Sequence, residues 1–251
     1  MEKTINNSGA HNKLTNRIDW WWIDPLLVIV GGGLAFGYLT WAAFQGVHYQ
    51  WGAYLSPVYS APYVPDWWKL SPALLLLWIP AGFRVTCYYG RKTYYRAAFG
   101  APAGCAVKQP YRKKYKGEKK FPFVLQNLHR YFLYLALVLV AIHWTEFIMG
   151  FFHEGSVYVG LGTLIILLDT LALTFYVSGC HSLRHMLGGK KRSMSCKGCP
   201  KLSYKLWSRA SMFNRHHDKW FWISLFSICA ADLYIRLLSM GVITSDPHLI
   251  F

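Results

Sequence analysis

Five apolar stretches, at about 25–47, 72–95, 123–150, 157–181 and 219–243, constrain this 251-residue chain more than any other feature. Each exceeds the ~20 residues that a helix needs to cross ~30 Å of hydrocarbon. Lipid offers no hydrogen bonds, so a chain that crosses it satisfies its own backbone, and one long apolar run does so as a helix. The expected fold class is all-α, an integral membrane bundle of five transmembrane helices. Trp20, Trp21 and Trp22 at one boundary, with Trp67 and Trp68 at another, fit interfacial anchors. Residues 1–18 are polar and lack the apolar core of a cleavable signal, so they read as an N-terminal segment ahead of a membrane domain over 19–251. The Tyr-, Pro- and Trp-rich segment 47–70 is expected to cap the outer face of the bundle.

Charge sets the orientation. Ten Lys and Arg lie between Gly90 and Lys120 and nine between Leu183 and Arg215, whereas 47–70 holds only Lys69 and 151–157 and 244–251 hold none. The positive-inside rule then puts the N-terminus in the cytoplasm and, after five crossings, the C-terminus outside. A multi-pass protein of the cell (inner) membrane is expected. A net charge of +16 would also fit nucleic acid or anionic membrane lipid. Topology accounts for most of it, and a nucleic-acid role is not expected. The basic loops 98–121 and 183–217 are either solvated linkers or docking surfaces for soluble subunits.

Six cysteines look disulfide-like in number, but Cys87, Cys105, Cys180, Cys196 and Cys199 fall in or beside the cytoplasmic half, where thiols stay reduced, and Cys229 lies in the last span. Metal or cluster ligation is the more economical use. His181 and His185 are four apart at what should be the end of the fourth span, so they share a face and can meet one metal; two interfacial histidines near a helix C-terminus are the plainer alternative. Cys180 is next door. Cys87 follows Arg84, a charge inside a span and therefore a functional marker. Cys105 sits in a loop of small residues that can approach a cofactor closely. Cys196-Lys-Gly-Cys199 has no second CxxC to complete a zinc site and reads as a solvent-facing dithiol. Thiols and imidazoles at a membrane boundary, with no nucleophile constellation beside them, point to electron transfer rather than hydrolysis.

A second group lies deeper: His143 and Glu146 in the third span, Asp169 in the fourth, and Asp232 and Arg236 in the fifth. Asp232 and Arg236, at i and i+4, make a ready internal ion pair. His143 and Glu146 are the candidates for delivering protons to a quinone. A cytoplasmic-side quinone site near Arg84, Tyr88 and His129 is the alternative. His217 also faces the cytoplasmic boundary and is a reserve ligand.

Several strings together resemble the membrane anchor of succinate dehydrogenase of the mycobacterial type: Phe83-Arg-Val-Thr-Cys-Tyr-Tyr-Gly-Arg-Lys-Thr-Tyr-Tyr-Arg96, Cys105-Ala-Val107, Phe121-Pro-Phe-Val-Leu-Gln-Asn-Leu-His-Arg-Tyr-Phe132, Ser178-Gly-Cys-His-Ser-Leu-Arg-His185 and the Asn214-to-His217 region. The resemblance implies partnership with a flavoprotein subunit and an iron–sulfur subunit, electron flow from succinate to quinone, and no succinate binding by this chain itself. Assembly of the complex into a higher oligomer is compatible with it. The wider five-helix class carries two b-type haems, whereas the mycobacterial type is similar to a haem-free anchor with an embedded Rieske-type 2Fe–2S cluster. A second span that offers Cys87 and no histidine favours the cluster. Such a centre takes two His and two Cys. The resemblance then assigns His181 and His185, with two of Cys87, Cys105 and Cys180. Cys87 with Cys105 is favoured, because on a continuous helix Cys180 points about 100° away from His181. Two rivals remain: a haem b anchor using His48 and His143, and a transporter, for which only Gly31-Gly32-Gly33 hints at a broken helix.

Overall fold

The computed structural model describes residues 22–61, 63–99, 121, 123–153, 156–188 and 201–250. Cys105, Cys196 and Cys199, and most of the basic stretches 98–121 and 189–200, lie outside them. The described chain is mostly helical. Helix α1 (Ile23–Gln45) carries Asp24 and Pro25 in its first turn, where a carboxylate meets the positive end of the helix dipole and proline's missing N–H costs nothing. It stops at Gly46, whose φ of 67° favours glycine. A short hairpin follows, β1 (Gln50–Trp51) against β2 (Tyr54–Leu55), and then a 3-10 turn, Pro57–Tyr59, with Ser56 as its cap. Tyr54, Val58 and Tyr59 are buried, so this polar-aromatic segment closes one end of the bundle.

The second apolar stretch is not one continuous helix. Pro72 opens a 3-10 turn to Leu75, α2 runs over Trp78–Thr86, Cys87 is extended, and α3 covers Tyr88–Phe99. Gly90 makes the break at Cys87 tight, because a Cβ there would stand 2.7 Å from the Arg84 carbonyl. Among the described residues, four helical segments are long and apolar enough to cross a membrane: α1, residues Val124–Phe151, α5 (Leu161–Ser178) and α8 (His217–Ser239). Within the second of these, a 3-10 turn, Phe123–Leu128, leads into α4 (His129–Phe151).

The fourth stretch also ends earlier than expected. Helix α5 stops at Ser178, and a separate helix α6 (His181–Gly188) starts after Gly179 and Cys180. The Asn214 side chain, at the end of α7 (Lys201–Asn214), donates to the Gly179 carbonyl at 2.7 Å, and the Phe213 carbonyl would lie 3.0 Å from any Cβ at Gly179. That close approach leaves room only for glycine at the break. Strands β3 (Phe152–His153), β4 (Ser156–Gly160) and β5 (His248–Ile250) form a small antiparallel sheet at the hairpin end.

Helix α5 packs along α8 and α4, α1 lies on α3, and α2 lies on α4. The α2–α4 approach depends on Gly82, where a Cβ would stand 2.2 Å from the Phe132 ring. The hairpin end is held by a closed polar network. Asp232 accepts from Tyr38 at 2.6 Å and from Ser56, and it pairs with Arg236 at 3.3 Å, as the i,i+4 spacing predicts. Arg236 also donates to the Val47 carbonyl at 2.9 Å. Asp246 accepts from Tyr54 at 2.9 Å, Tyr234 at 2.5 Å and the Gly162 N–H at 3.1 Å. Burial pushes the Tyr54 phenol above its usual range, which keeps it a donor.

Candidate functional site

At the opposite end, four donor side chains meet, each at the start of a helix. Cys87 directly precedes α3, His129 opens α4, Cys180 directly precedes α6 and His217 opens α8. The two breaks in the expected spans put the cysteines there. Cys87 Sγ lies 3.5 Å from His217 Nε2, and Cys180 Sγ lies 3.2 Å from His129 Nε2. Both thiols, 3% and 0% exposed, are sealed from water. Backbone N–H groups of Tyr89 and Gly90 point to Cys87, and those of Ser182 and Leu183 point to Cys180. Such N–H groups are placed to donate to sulfur.

The two pairs belong to one site. Cys87 and Cys180 lie in electrostatic range of each other, as do His129 and His217. An aromatic path joins the imidazoles: His129 stacks on Phe83 at 4.7 Å, Phe83 meets the edge of Tyr176 at 5.4 Å, and Tyr176 stacks on His217 at 4.9 Å. Among the described residues no three His, Cys, Asp or Glu side chains are grouped to hold a single metal ion. The arrangement is two thiol–imidazole pairs.

Hydrogen bonding assigns the tautomer of His129. The Thr86 hydroxyl donates to the Gly82 carbonyl at 2.7 Å, so at 3.0 Å from His129 Nδ1 it can only accept. Nδ1 therefore carries the proton, and Nε2 turns a lone pair to Cys180 Sγ. That is the state a metal-binding imidazole adopts when a neighbour holds its other nitrogen. Buried His217 Nδ1 has no partner among the described residues. Two thiols and two imidazoles, with one lone pair already turned inward, fit the donor set of a Rieske-type 2Fe–2S centre.

Beside these pairs lies an apolar cavity of about 140 Å³. Phe83, Arg84 and Tyr176 line it toward the thiols, and His143 and Ser60 line it toward the hairpin. Cavities of ~150 Å³ lined by apolar side chains hold a benzene ring, so this one has room for a single aromatic ring. His143 Nδ1 donates to the Leu139 carbonyl at 2.9 Å, which leaves buried Nε2 unprotonated and without a partner among the described residues. Behind it Ser60 donates to Glu146 at 2.7 Å.

The remaining candidates are distributed as follows. His181 and His185 are exposed on α6; His181 lies in electrostatic range of His217, and His185 lies 3.2 Å from Arg130. Tyr88 is exposed on α3 beneath the Arg91 guanidinium and does not line the cavity. His48 is exposed in the turn after α1. Sequence reasoning named His129 and His217 without pairing them with cysteines. The available signal was their position, each at the polar edge of an apolar span and beside a second polar residue.

The profile for the actinobacterial succinate dehydrogenase subunit SdhC matches residues 23–241. A solved structure, the Mycobacterium smegmatis Sdh1 complex in the apo form, contains a chain similar to this one at 34% identity and a TM-score of 0.83, over 95% of this chain and 94% of that one. No curated protein matches the chain.

Proposed function

Since the chain belongs to the actinobacterial family of succinate dehydrogenase SdhC subunits, we propose that it anchors that complex in the cell membrane and conducts electrons from the iron–sulfur subunit to a quinone. The observation that carries this reading is the burial of the Cys87–His217 and Cys180–His129 pairs beside an apolar cavity. These four residues would hold the Rieske-type centre. When bound, such a centre supplies a one-electron carrier of higher potential than plant-type all-cysteine 2Fe–2S clusters.

The chain's own residues do the rest. Thr86 fixes the His129 tautomer, and Phe83 and Tyr176 wall the donors off from water. The cavity receives the quinone ring, where His143 Nε2 accepts from a hydroxyl as the quinone is reduced. Glu146, reached through Ser60, is the proton reservoir. On the positive-inside rule the thiol end and the N-terminus would face the cytoplasm, with the paired helices α2 and α3 as the second of five crossings. The loops 98–121 and 183–217 dock the iron–sulfur subunit, which in turn carries the flavoprotein.

The test is substitution of His129 and His217 by Ala in the assembled complex. Reduction of quinone by succinate should be lost while oxidation of succinate with a soluble dye persists. Quinone reduction at the wild-type rate per complex would overturn the ligand assignment.

A further inference from the structure

Arg84 is 6% exposed, and among the described residues no carboxylate lies within ion-pair distance of it. Its guanidinium sits 4.7 Å from the Tyr176 ring centre and 5.2 Å from that of Phe221, and it donates to the Phe221 carbonyl at 2.8 Å and Ser224 Oγ at 2.9 Å. The buried carboxylate of Asp169 accepts from Ser227 at 2.6 Å and reaches Arg84 only through its longer-range field, outside ion-pair distance. Two neutral acceptors and two aromatic faces hold the cation in place, with no carboxylate in direct contact among the described residues. A buried charge without a partner is costly, by several kcal/mol even after relaxation. In a membrane interior such a charge marks function by default.

The surroundings of Arg84 show what it faces. Arg84 comes three residues before Cys87 in the chain, and it acts electrostatically on both Cys87 and His217. Tyr176, the ring beneath it, is the ring on which His217 stacks. Two helix N-termini point the same sign of charge at the two thiols. This end of the bundle is therefore built to receive negative charge.

We propose that Arg84 is the fixed counter-charge of the redox centre, a positioning residue that raises the centre's reduction potential without ligating it. This rests on the reading that Cys87, Cys180, His129 and His217 hold such a centre. Each electron that succinate oxidation delivers through the iron–sulfur subunit adds one negative charge to the site, and that charge leaves again with the electron to quinone. A permanent positive charge stabilises the reduced form over the oxidised one. Without it the site accepts electrons less readily, and the step from the partner's clusters runs uphill.

The experiment is a redox titration of the whole purified complex followed by low-temperature EPR, comparing wild type with Arg84→Gln and Arg84→Lys. Arg84→Gln should weaken electron acceptance at least tenfold, which is about 59 mV for a one-electron couple. Arg84→Lys, which keeps the charge, should stay within about threefold, below a half-unit of that logarithmic scale. An unchanged potential in Arg84→Gln, or an equal fall in Arg84→Lys, overturns the proposal. Should Arg84→Gln fail to assemble, Ser224→Asp sets a carboxylate against the guanidinium and must lower the potential in the same direction; an unchanged value again overturns it. A wild-type complex without a second 2Fe–2S signal overturns the cluster reading itself and this inference with it. A signal of unchanged potential removes only the role of Arg84.

Discussion

The hairpin end and the thiol end each bury an arginine over an aromatic ring, and they treat it in opposite ways. Arg236 lies over Trp41 and meets Asp232, which Tyr38 and Ser56 also bind. Arg84 lies over Tyr176 and meets a hydroxyl and a carbonyl, with no carboxylate at ion-pair distance among the described residues. Among the described residues the buried atoms without a partner include His143 Nε2, Asp169 Oδ2 and His217 Nδ1, with Ser71 Oγ near the hairpin, and none belongs to Asp232 or Asp246. Where polar groups complete one another, a bundle gains a rigid lid. Where they stay incomplete in a sealed interior, the missing partner is a ligand or a charge that arrives during turnover.

Breaking the closed network should give the largest thermodynamic effect. Asp232→Ala leaves Arg236 buried and unpaired, a loss of about 3–5 kcal/mol. Calorimetry of the purified complex should show a lower Tm, with turnover per assembled complex unchanged; a normal Tm with slow turnover would reverse the division between the two ends. Next is the hydrogen bond that orients His129. Thr86→Val should weaken retention of iron at this site by about 10–100-fold, read as faster loss of the EPR signal under a chelator. His143→Ala removes one neutral hydrogen bond from the cavity, so quinone turnover should fall by about 2–10-fold while the iron content holds. If neither His143→Ala nor Glu146→Gln alters turnover, the quinone does not use this end of the cavity. The smallest effect belongs to His181→Ala with His185→Ala. Both are exposed, so quinone turnover and stability should stay within about 0.5 kcal/mol of wild type; loss of the iron signal would return these residues to the ligand set.

The apolar runs made the bundle legible before any coordinates, and the i,i+4 spacing made the Asp232–Arg236 pair legible too. The thiol end was only half legible. Cys87 and Cys180 stood out as chemistry in an apolar context, and Arg84 as a charge in a span. Their partners did not, because Cys87 meets His217 across 130 residues and Cys180 meets His129 across 51. Periodicity reports neighbours three or four residues apart and is silent on such pairings. The helix break at Gly179 hid the geometry further. An unbroken run through residue 181 makes His181 and His185 look like the inward pair and turns Cys180 aside. The break, where Phe213 and Asn214 pack against Gly179, buries Cys180 and leaves His181 and His185 exposed.

The central claim is that Cys87, Cys180, His129 and His217 hold a two-iron centre inside the membrane bundle. Iron and acid-labile sulfide, counted per assembled complex, test it without reference to activity. Complex carrying Cys87→Ser with Cys180→Ser should contain about two fewer irons and about two fewer sulfides than wild type, the content of one 2Fe–2S unit. Equal iron and sulfide in the two preparations would contradict the account.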